Sequence, residues 1–267
     1  MFDSFNREIR SLRISVTDRC DLHCLYCRPG GCAVRRPASE ILSFEQILRV
    51  VSAALDLGIR RVRLTGGEPL LRKGLADLIA KLKDLGGLED LALTTNGQRL
   101  EALAPLLRQA GLDRINLSLD SLDPGEYRRI TGGGELDPVL RGIESARAAG
   151  FPLKINMVVL PGTTEGEIRR MEDFCRAGGM VFQPIRHYDL REDKPPGSEE
   201  PFRRPPDCRH CDRLRLLSTG SLKPCLHSDD EIPLDWEDLP GSLRRAVEAK
   251  PAAGGHCLRH DPARTGG

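Results

Sequence analysis

The chain has 267 residues, 39% of them hydrophobic and 30% charged, a composition typical of a folded globular protein. Forty lysines and arginines nearly balance 39 aspartates and glutamates, giving a formal net charge of +1. No global field therefore directs the chain toward nucleic acid or a membrane, and we expect neither as a partner. No segment approaches the roughly 18 apolar residues of a spanning helix, and no signal peptide is evident, so we expect a cytoplasmic protein.

Short β-branched runs alternate with longer amphipathic segments along the first 186 residues. The predicted strands span 12–17, 61–65, 91–95, 114–120, 153–160 and 180–185. The predicted helices span 43–58, 73–86, 99–111, 136–150 and 164–179, and most of them stop at glycine. This alternation is typical of α/β proteins with a parallel sheet, either doubly wound or barrel-like. Because six units fall short of a full barrel, we predict a partial (βα)6 barrel of the TIM type.

The alternation ends after Ile185, and this change defines the predicted domain boundaries. Residues 187–207 are rich in proline and charge, so we predict a connector without regular structure. A cysteine-containing region with little core-forming sequence follows, with one helix between about 237 and 250. The predicted organisation is a barrel at 1–186, the connector at 187–207 and a C-terminal cluster-binding region at 208–267.

Nine cysteines are a high count for a reducing compartment, where thiols bind metals or do chemistry more often than they pair. Cys20, Cys24 and Cys27 form the pattern C-x3-C-x2-C after the first strand, where the loops of a barrel carry chemistry. Three thiolates at this spacing can hold a [4Fe–4S] cluster and leave one iron open to a further ligand. The alternative is a zinc knuckle completed by His23 or Cys32.

A second group of cysteines has the pattern C-x2-C-x13-C and comprises Cys208, Cys211 and Cys225. We expect a metal centre to hold this region together. On spacing alone, an iron–sulfur cluster and a zinc ion with His210, His227 or Cys257 as fourth ligand are both compatible with it. Cys175 is predicted to be a small core residue.

Cationic and polar side chains lie inside the predicted strands. Arg61 and Arg63 alternate on the second strand and therefore face the same side, Arg13 lies on the first strand, and Lys154 lies on the fifth. Burying such charges is costly without a partner, so an anionic ligand is expected at this face. Asn116, Ser118 and Asp120 share one face of the fourth strand and predict either ribose contacts or a buried polar network.

The first cysteine pattern, with Tyr26 before its last cysteine, resembles the signature of radical S-adenosylmethionine (SAM) enzymes. The segment 65–69, Thr-Gly-Gly-Glu-Pro, is similar to their GGEP motif, in which paired glycines permit close backbone approach and a carboxylate suits an ammonium group. The resemblance implies a [4Fe–4S] cluster whose open iron binds SAM. It places the following residues at the SAM site: Tyr26, Gly66, Gly67, Glu68 and Ser118.

Seven segments of the chain also resemble the GTP 3′,8-cyclase family of molybdenum cofactor biosynthesis. They occur in the same order as in the family and extend nearly from one end of the chain to the other. They lie at 15–27, 63–75, 94–97, 116–134, 153–162, 211–216 and 266–267. The resemblance implies conversion of GTP to (8S)-3′,8-cyclo-7,8-dihydroguanosine 5′-triphosphate, and a second [4Fe–4S] cluster held by Cys208, Cys211 and Cys225. It assigns GTP contacts to Arg13, Arg63, Thr94, Lys154, Arg213 and Arg215, with Arg61 as a neighbouring phosphate cation. It also implies that the Gly266–Gly267 tail reaches into the active site.

The same resemblance implies an electron donor such as flavodoxin or ferredoxin and a downstream cyclic pyranopterin synthase, and it allows a homodimer. Two features depart from the family pattern. Only residues 186–207 separate the sixth strand from the second cysteine group, and that strand ends in Gln-Pro-Ile-Arg (183–186), where the family has an Arg-Phe-Ile-Glu type of run, with Tyr188 in place of a methionine. The alternatives are therefore a two-cluster radical SAM enzyme acting on a peptide or another nucleotide, and a metal-binding interaction module.

Overall fold

The computed structural model describes residues 1–27, 36–187, 208–255 and 257–258. Within these ranges, the strands form one sheet in the order β6-β5-β4-β3-β2-β1-β7-β8-β9. Strands β1 to β6 and β7 run parallel, whereas β8 and β9 add as antiparallel neighbours of β7. The strands are β1 Ser11–Ser15, β2 Arg61–Thr65, β3 Asp90–Thr95, β4 Arg114–Ser118, β5 Leu153–Val159, β6 Val181–Arg186, β7 Arg213–Leu216, β8 Ser221–Lys223 and β9 Ile232–Pro233.

Helices follow the parallel strands, as the sequence predicts. They are α1 Phe44–Asp56, α2 Leu75–Asp84, α3 Leu100–Gln109, α4 Pro124–Thr131, α5 Leu136–Ala148, α6 Glu165–Ala177 and α7 Leu239–Glu248. Capping boxes at Ser43 and Thr164 satisfy the first backbone donors of α1 and α6 and set where these helices begin. None of the helices in the described ranges is long and apolar enough to cross a membrane.

Apolar and polar side chains alternate along β1 and β2. On β1 and β2, Leu12, Ile14, Val62 and Leu64 are at most 1% exposed and belong to the main hydrophobic core. The arginines between them face the opposite side of the sheet. Cys175 on α6 is 1% exposed in the core, which confirms its predicted role as a small core residue. The α/β fold and the predicted six parallel strands of a partial barrel are likewise confirmed.

Two parts of the fold differ from the sequence expectations. Helix α4 was not predicted, although Asp123 caps it, Pro124 begins it and Gly132 ends it with a left-handed backbone at φ 67°. The expectation of little core-forming sequence after residue 208 is wrong, because Leu214, Leu222 and Leu243 are fully buried in the main core. Strand β7 extends the sheet beside β1, so the C-terminal region shares the barrel's core.

Candidate active site

The first cysteine group lies at the carboxyl edge of the parallel sheet, beside a pocket of about 130 Å³. The carboxyl ends of parallel strands meet at one edge, which brings loops from distant parts of the sequence together. The pocket is lined by Cys20, Leu22, Cys24, Tyr26, Cys27, Thr65, Gly66, Gly67, Glu68, Thr94, Thr95, Asn96 and Ser118. Every residue that the resemblance implies for the SAM site therefore borders one pocket with the three cysteines.

Gly66 and Gly67 hold the cysteine loop against the end of β2. Gly67 donates a backbone hydrogen bond to the carbonyl of Thr17 at 2.8 Å, and Glu68 donates one to the carbonyl of Arg19 at 2.7 Å. A Cβ atom on Gly66 would lie 2.4 Å from the Thr17 carbonyl oxygen, and one on Gly67 would lie 2.2 Å from that of Arg19. The close approach for which glycine is required is thus to the backbone that precedes Cys20.

The Glu68 carboxylate joins three loops at the pocket wall. It is 1% exposed and accepts hydrogen bonds from the Thr95 hydroxyl at 2.7 Å, the Asn96 backbone N–H at 2.7 Å and the Leu70 backbone N–H at 3.0 Å. Burial raises the pKa of Glu68 to about 7, although these three donors act in the opposite direction. Since its oxygens are bonded to protein, Glu68 positions the loops after β2 and β3 around the pocket.

Tyr26 is anchored from the opposite side by Asp120. The Tyr26 hydroxyl donates to the Asp120 carboxylate at 2.7 Å, and Asp120 also accepts from the Val158 backbone N–H at 2.7 Å. Burial raises the pKa of Asp120 to about 6. The sequence predicted either ribose contacts or a buried polar network for Asp120, and these two hydrogen bonds match the polar network.

Helix α4 fixes the cysteine loop from a third direction. The backbone N–H groups of His23 and Leu25 donate to the carbonyls of Thr131 and Ile130 at 2.9 Å each. A Cβ atom on Gly132 would lie 2.7 Å from the His23 carbonyl oxygen. The end of α4 therefore packs directly on residues 23–25, on both sides of Cys24.

The first group of thiols has the character of a soft metal site. All three are partly exposed, and burial, Asp120 and the other two thiols raise the pKa of Cys24 well above its ordinary range. The residues present, three thiols beside a glycine-walled pocket, fit a [4Fe–4S] cluster that keeps one iron open.

The second cysteine group lies at the other end of the same strands. Cys211 precedes β7, Cys225 follows β8, and Cys208 opens a short 3-10 turn. The Gly254 backbone N–H donates to the sulfur of Cys208 at 3.4 Å, a contact typical of thiolate ligands. The Cys257 thiol instead donates to the Asp229 carboxylate at 3.3 Å.

Within the part of the chain that the structure describes, no set of three potential ligands is arranged for a single metal ion. Cys32, Tyr188, Gly266, Gly267 and the connector from residue 188 lie outside the described residues, so the predictions made for them stay predictions.

A row of arginines crosses the polar face of the sheet between the two cysteine groups. Arg13 on β1 is in register with Arg63 on β2 and with Arg215 on β7. Arg13 is 8% exposed and Arg215 is 7% exposed. Burial, and then the charge of Arg213, lower the pKa of Arg215 to about 10, and Arg63 acts in the same direction. Several cations thus repel one another in a buried setting, which is the arrangement that a polyanion relieves.

A second row continues across the neighbouring strands and consists of Thr94, Asn116 and Lys154. The Asn116 amide donates to the Leu93 carbonyl at 3.3 Å, so it too belongs to a buried network. The Arg61 guanidinium pairs with the Asp212 carboxylate at 2.9 Å. Its predicted role as a phosphate cation stays a prediction.

Sequence reasoning missed three residues that hold these sites. Asn96 donates from its side chain to Asp21 at 2.8 Å and so ties the loop after β3 to the first cysteine group. Arg7 donates to the carbonyl of Cys208 at 2.8 Å. Lys250 contacts the sulfur of Cys211 at 3.7 Å. The motif TTNG pointed to Asn96, whereas no local pattern marked the other two.

Comparison with known proteins assigns this geometry to a family. The profile of the radical SAM superfamily matches residues 14–175. The GTP 3′,8-cyclase of Heliobacterium modesticaldum is 37% identical, with 94% of this chain and 93% of that protein covered; that of Thermodesulfovibrio yellowstonii is 38% identical, with 94% of each covered. The first alignment spans 308 positions, more than the whole chain, so that relative carries segments that this chain lacks.

Among solved structures, Streptococcus suis SuiB bound to S-adenosylmethionine superposes with a TM-score of 0.65 at 19% identity, covering 89% of this chain and 68% of that one. This likeness bears on the fold.

Proposed function

Since the chain belongs to the radical SAM superfamily and, within it, to the GTP 3′,8-cyclase family, we propose that it converts GTP to (8S)-3′,8-cyclo-7,8-dihydroguanosine 5′-triphosphate, the first step of molybdenum cofactor biosynthesis. The observation that carries the proposal is the row Arg215–Arg13–Arg63 on the sheet face between the two cysteine groups. Strand β1, which runs from one of these ends of the sheet to the other, has five residues and is roughly 16 Å long at about 3.3 Å per residue. A nucleoside triphosphate has the length and the charge to occupy that space.

Cys20, Cys24 and Cys27 would hold the first [4Fe–4S] cluster, and Cys208, Cys211 and Cys225 the second. When bound beside SAM, the first cluster would supply the electron that releases the 5′-deoxyadenosyl radical. Tyr26, Gly66, Gly67, Glu68 and Ser118 would form the SAM pocket. The protein's contribution is to hold ribose C3′ against this pocket, so that its hydrogen atom passes to the 5′-deoxyadenosyl radical to give 5′-deoxyadenosine. It would also exclude water while the C3′ radical adds to guanine C8 and one further electron and one proton complete the dihydro product.

The cations would position the nucleotide. Arg13, Arg63 and Lys154 would contact the phosphates, with Arg61 near them, and Thr94 would lie where the nucleotide approaches the SAM pocket. Arg213 and Arg215 would orient the purine or the phosphates beside the second cluster. Each charge-assisted hydrogen bond contributes about 1.5–3 kcal/mol, so loss of one arginine should weaken GTP binding roughly 10- to 100-fold.

The remaining proposals concern partners and the tail. One-electron chemistry requires a donor, and a flavodoxin or ferredoxin is the class that the resemblance implies. The product requires a consuming enzyme, a cyclic pyranopterin synthase. We further propose a cytoplasmic enzyme, with a homodimer as the assembly to test, whose Gly266–Gly267 tail reaches the active site.

The proposed function is tested by reconstituting the protein with iron and sulfide in the absence of oxygen. About eight irons per chain after reconstitution are expected, followed by formation of 5′-deoxyadenosine and the cyclised nucleotide from SAM, dithionite and GTP. 5′-Deoxyadenosine without a cyclised nucleotide would contradict the cyclase and leave the peptide or another nucleotide as the substrate. Two zinc ions per chain and no SAM cleavage would indicate an interaction module instead.

Arg63→Gln measures the contribution of the arginine row. We expect 10- to 100-fold weaker GTP binding by calorimetry and unchanged iron content. Arg141→Gln is the matched control, because Arg141 forms an exposed ion pair with Glu101 on the outer helices. Equal GTP affinities of the two variants would contradict the role of the row.

A further inference from the structure

Lys250 is a buried cation at the second cysteine group. It follows the end of α7 and is 3% exposed. Its ammonium group donates to the carbonyl of Arg213 at 2.7 Å and to that of Pro224 at 2.9 Å, and it contacts the sulfur of Cys211 at 3.7 Å. One side chain therefore joins the start of β7, the residue before Cys225 and a cysteine ligand.

The contacts of Lys250 leave its charge without a carboxylate partner in the part of the chain that the structure describes. Asp3 lies within electrostatic reach, but its carboxylate is bonded to Arg7 at 2.6 Å. Two neutral carbonyls offset the burial of an ammonium group only in part. The remaining acceptor is the Cys211 sulfur, which lies 3.7 Å from the ammonium nitrogen.

We propose that Lys250 is a positioning residue of the second cluster, whose buried ammonium group stabilises the cluster's reduced form while holding Cys211 and the Cys225 strand in place. The inference rests on the proposed function, since it requires that cluster. A cluster held by three thiolates is anionic and gains a further negative charge on reduction. A cation fixed at one ligand sulfur favours the more negative state and raises the reduction potential.

The experiment is a redox titration of the second cluster, followed by electron paramagnetic resonance. The full chain carries Cys20→Ala, Cys24→Ala and Cys27→Ala, so that only the second cluster contributes. In this background, Lys250→Gln keeps donor groups but removes the charge. We expect unchanged iron content and a potential lowered by about 59 mV or more, which is a tenfold change in the ratio of oxidised to reduced cluster for a one-electron couple.

Two further variants separate charge from structure. Lys250→Arg keeps the charge and should stay near the wild-type potential. Lys223→Gln is the matched control, because Lys223 is 1% exposed on β8 but donates to the carbonyl of Ser228 instead of a cluster sulfur. A Lys250→Gln variant that binds iron fully at the wild-type potential, or an equal shift in Lys223→Gln, would overturn the proposal.

A measurement on the unmutated lysine covers the case in which Lys250→Gln fails to fold or to bind iron. With lysine labelled by 15N at its side-chain nitrogen, the reduced second cluster should show a hyperfine coupling to that nucleus, and this coupling should disappear in Lys250→Arg. Absence of the coupling would overturn the proposal while leaving the proposed function intact. A wild-type chain that binds only one cluster would overturn both.

Discussion

Substitution of Gly67 by alanine probes the contact between the end of β2 and the first cysteine loop. The added Cβ atom would lie 2.2 Å from the Arg19 carbonyl oxygen and 2.5 Å from its carbon. Ordinary contact begins at 3.4 Å, so the Arg19 backbone must move by about 1.2 Å. The next residue is Cys20, and its sulfur would be displaced with the backbone.

The energetic cost follows from the contacts that this movement disturbs. Overpacking costs typically 1–3 kcal/mol, and the hydrogen bonds from Gly67 to Thr17 and from Glu68 to Arg19 contribute roughly 0.5–1.5 kcal/mol each. The free energy of unfolding should therefore fall by roughly 2–6 kcal/mol. At about 2–4 °C per kcal/mol for a chain of this size, Tm should drop by at least about 4 °C.

Two assays read out this substitution: thermal unfolding of the protein and anaerobic iron counting after reconstitution. We expect about four of the eight irons to remain, because the second cysteine group is untouched. Gly166→Ala on α6 is the control, since the nearest atom to its Cβ lies 3.7 Å away and alanine favours a helix. A Gly67→Ala protein with wild-type Tm and full iron content would refute the steric reasoning.

Three other outcomes are expected. Cys24→Ala should abolish SAM cleavage, whereas Cys211→Ala should still form 5′-deoxyadenosine but no cyclised nucleotide. Chromatography of 5′-deoxyadenosine and of the cyclised nucleotide checks this expectation. Cyclised nucleotide from either variant would be contrary evidence. Asp120→Ala leaves the half-buried Tyr26 hydroxyl and the Val158 backbone N–H without their acceptor, at about 1 kcal/mol each, so urea unfolding should show a lower midpoint and SAM should bind more weakly. An unchanged midpoint would argue against the anchor. Deletion of Gly266–Gly267 should leave iron content unchanged but remove turnover, and wild-type turnover would count against the inserted tail.

The alternation of strands and helices could be predicted from the sequence, because each strand or helix has its own hydrophobic period among neighbouring residues. The predicted strand at 61–65 coincides with β2, and the predicted helix at 43–58 contains α1 with its capping box at Ser43. Helix α4 was not predicted, because its residues are mostly polar and show no clear apolar face. The only sequence signals of this helix were its capping residues, Asp123 and Gly132. The short strands β7 to β9 escaped because few residues of alternation distinguish a strand of two to four residues from a loop.

The site residues divide in the same way. Motif spacing identified the cysteines and the glycines, because their chemistry requires neighbours in the chain. From the motif, Glu68 was expected to bind an ammonium group. In the structure its carboxylate accepts hydrogen bonds from Thr95, Asn96 and Leu70 instead. Long-range partners such as these cannot be deduced from spacing, since the residues are brought together only when β2 and β3 pair.

The sequence by itself determined the strand and helix order, the two cysteine groups and the presence of cations within strands, because periodicity and ligand spacing are properties of neighbouring residues. The tertiary structure decided which cations share a row, which arginine is neutralised by Asp212, and that Lys250 lies against Cys211. These relations depend on strand register and on where α7 returns to the sheet. Both are set by packing of the whole core, so residues 39 positions apart in the chain can meet at one sulfur atom.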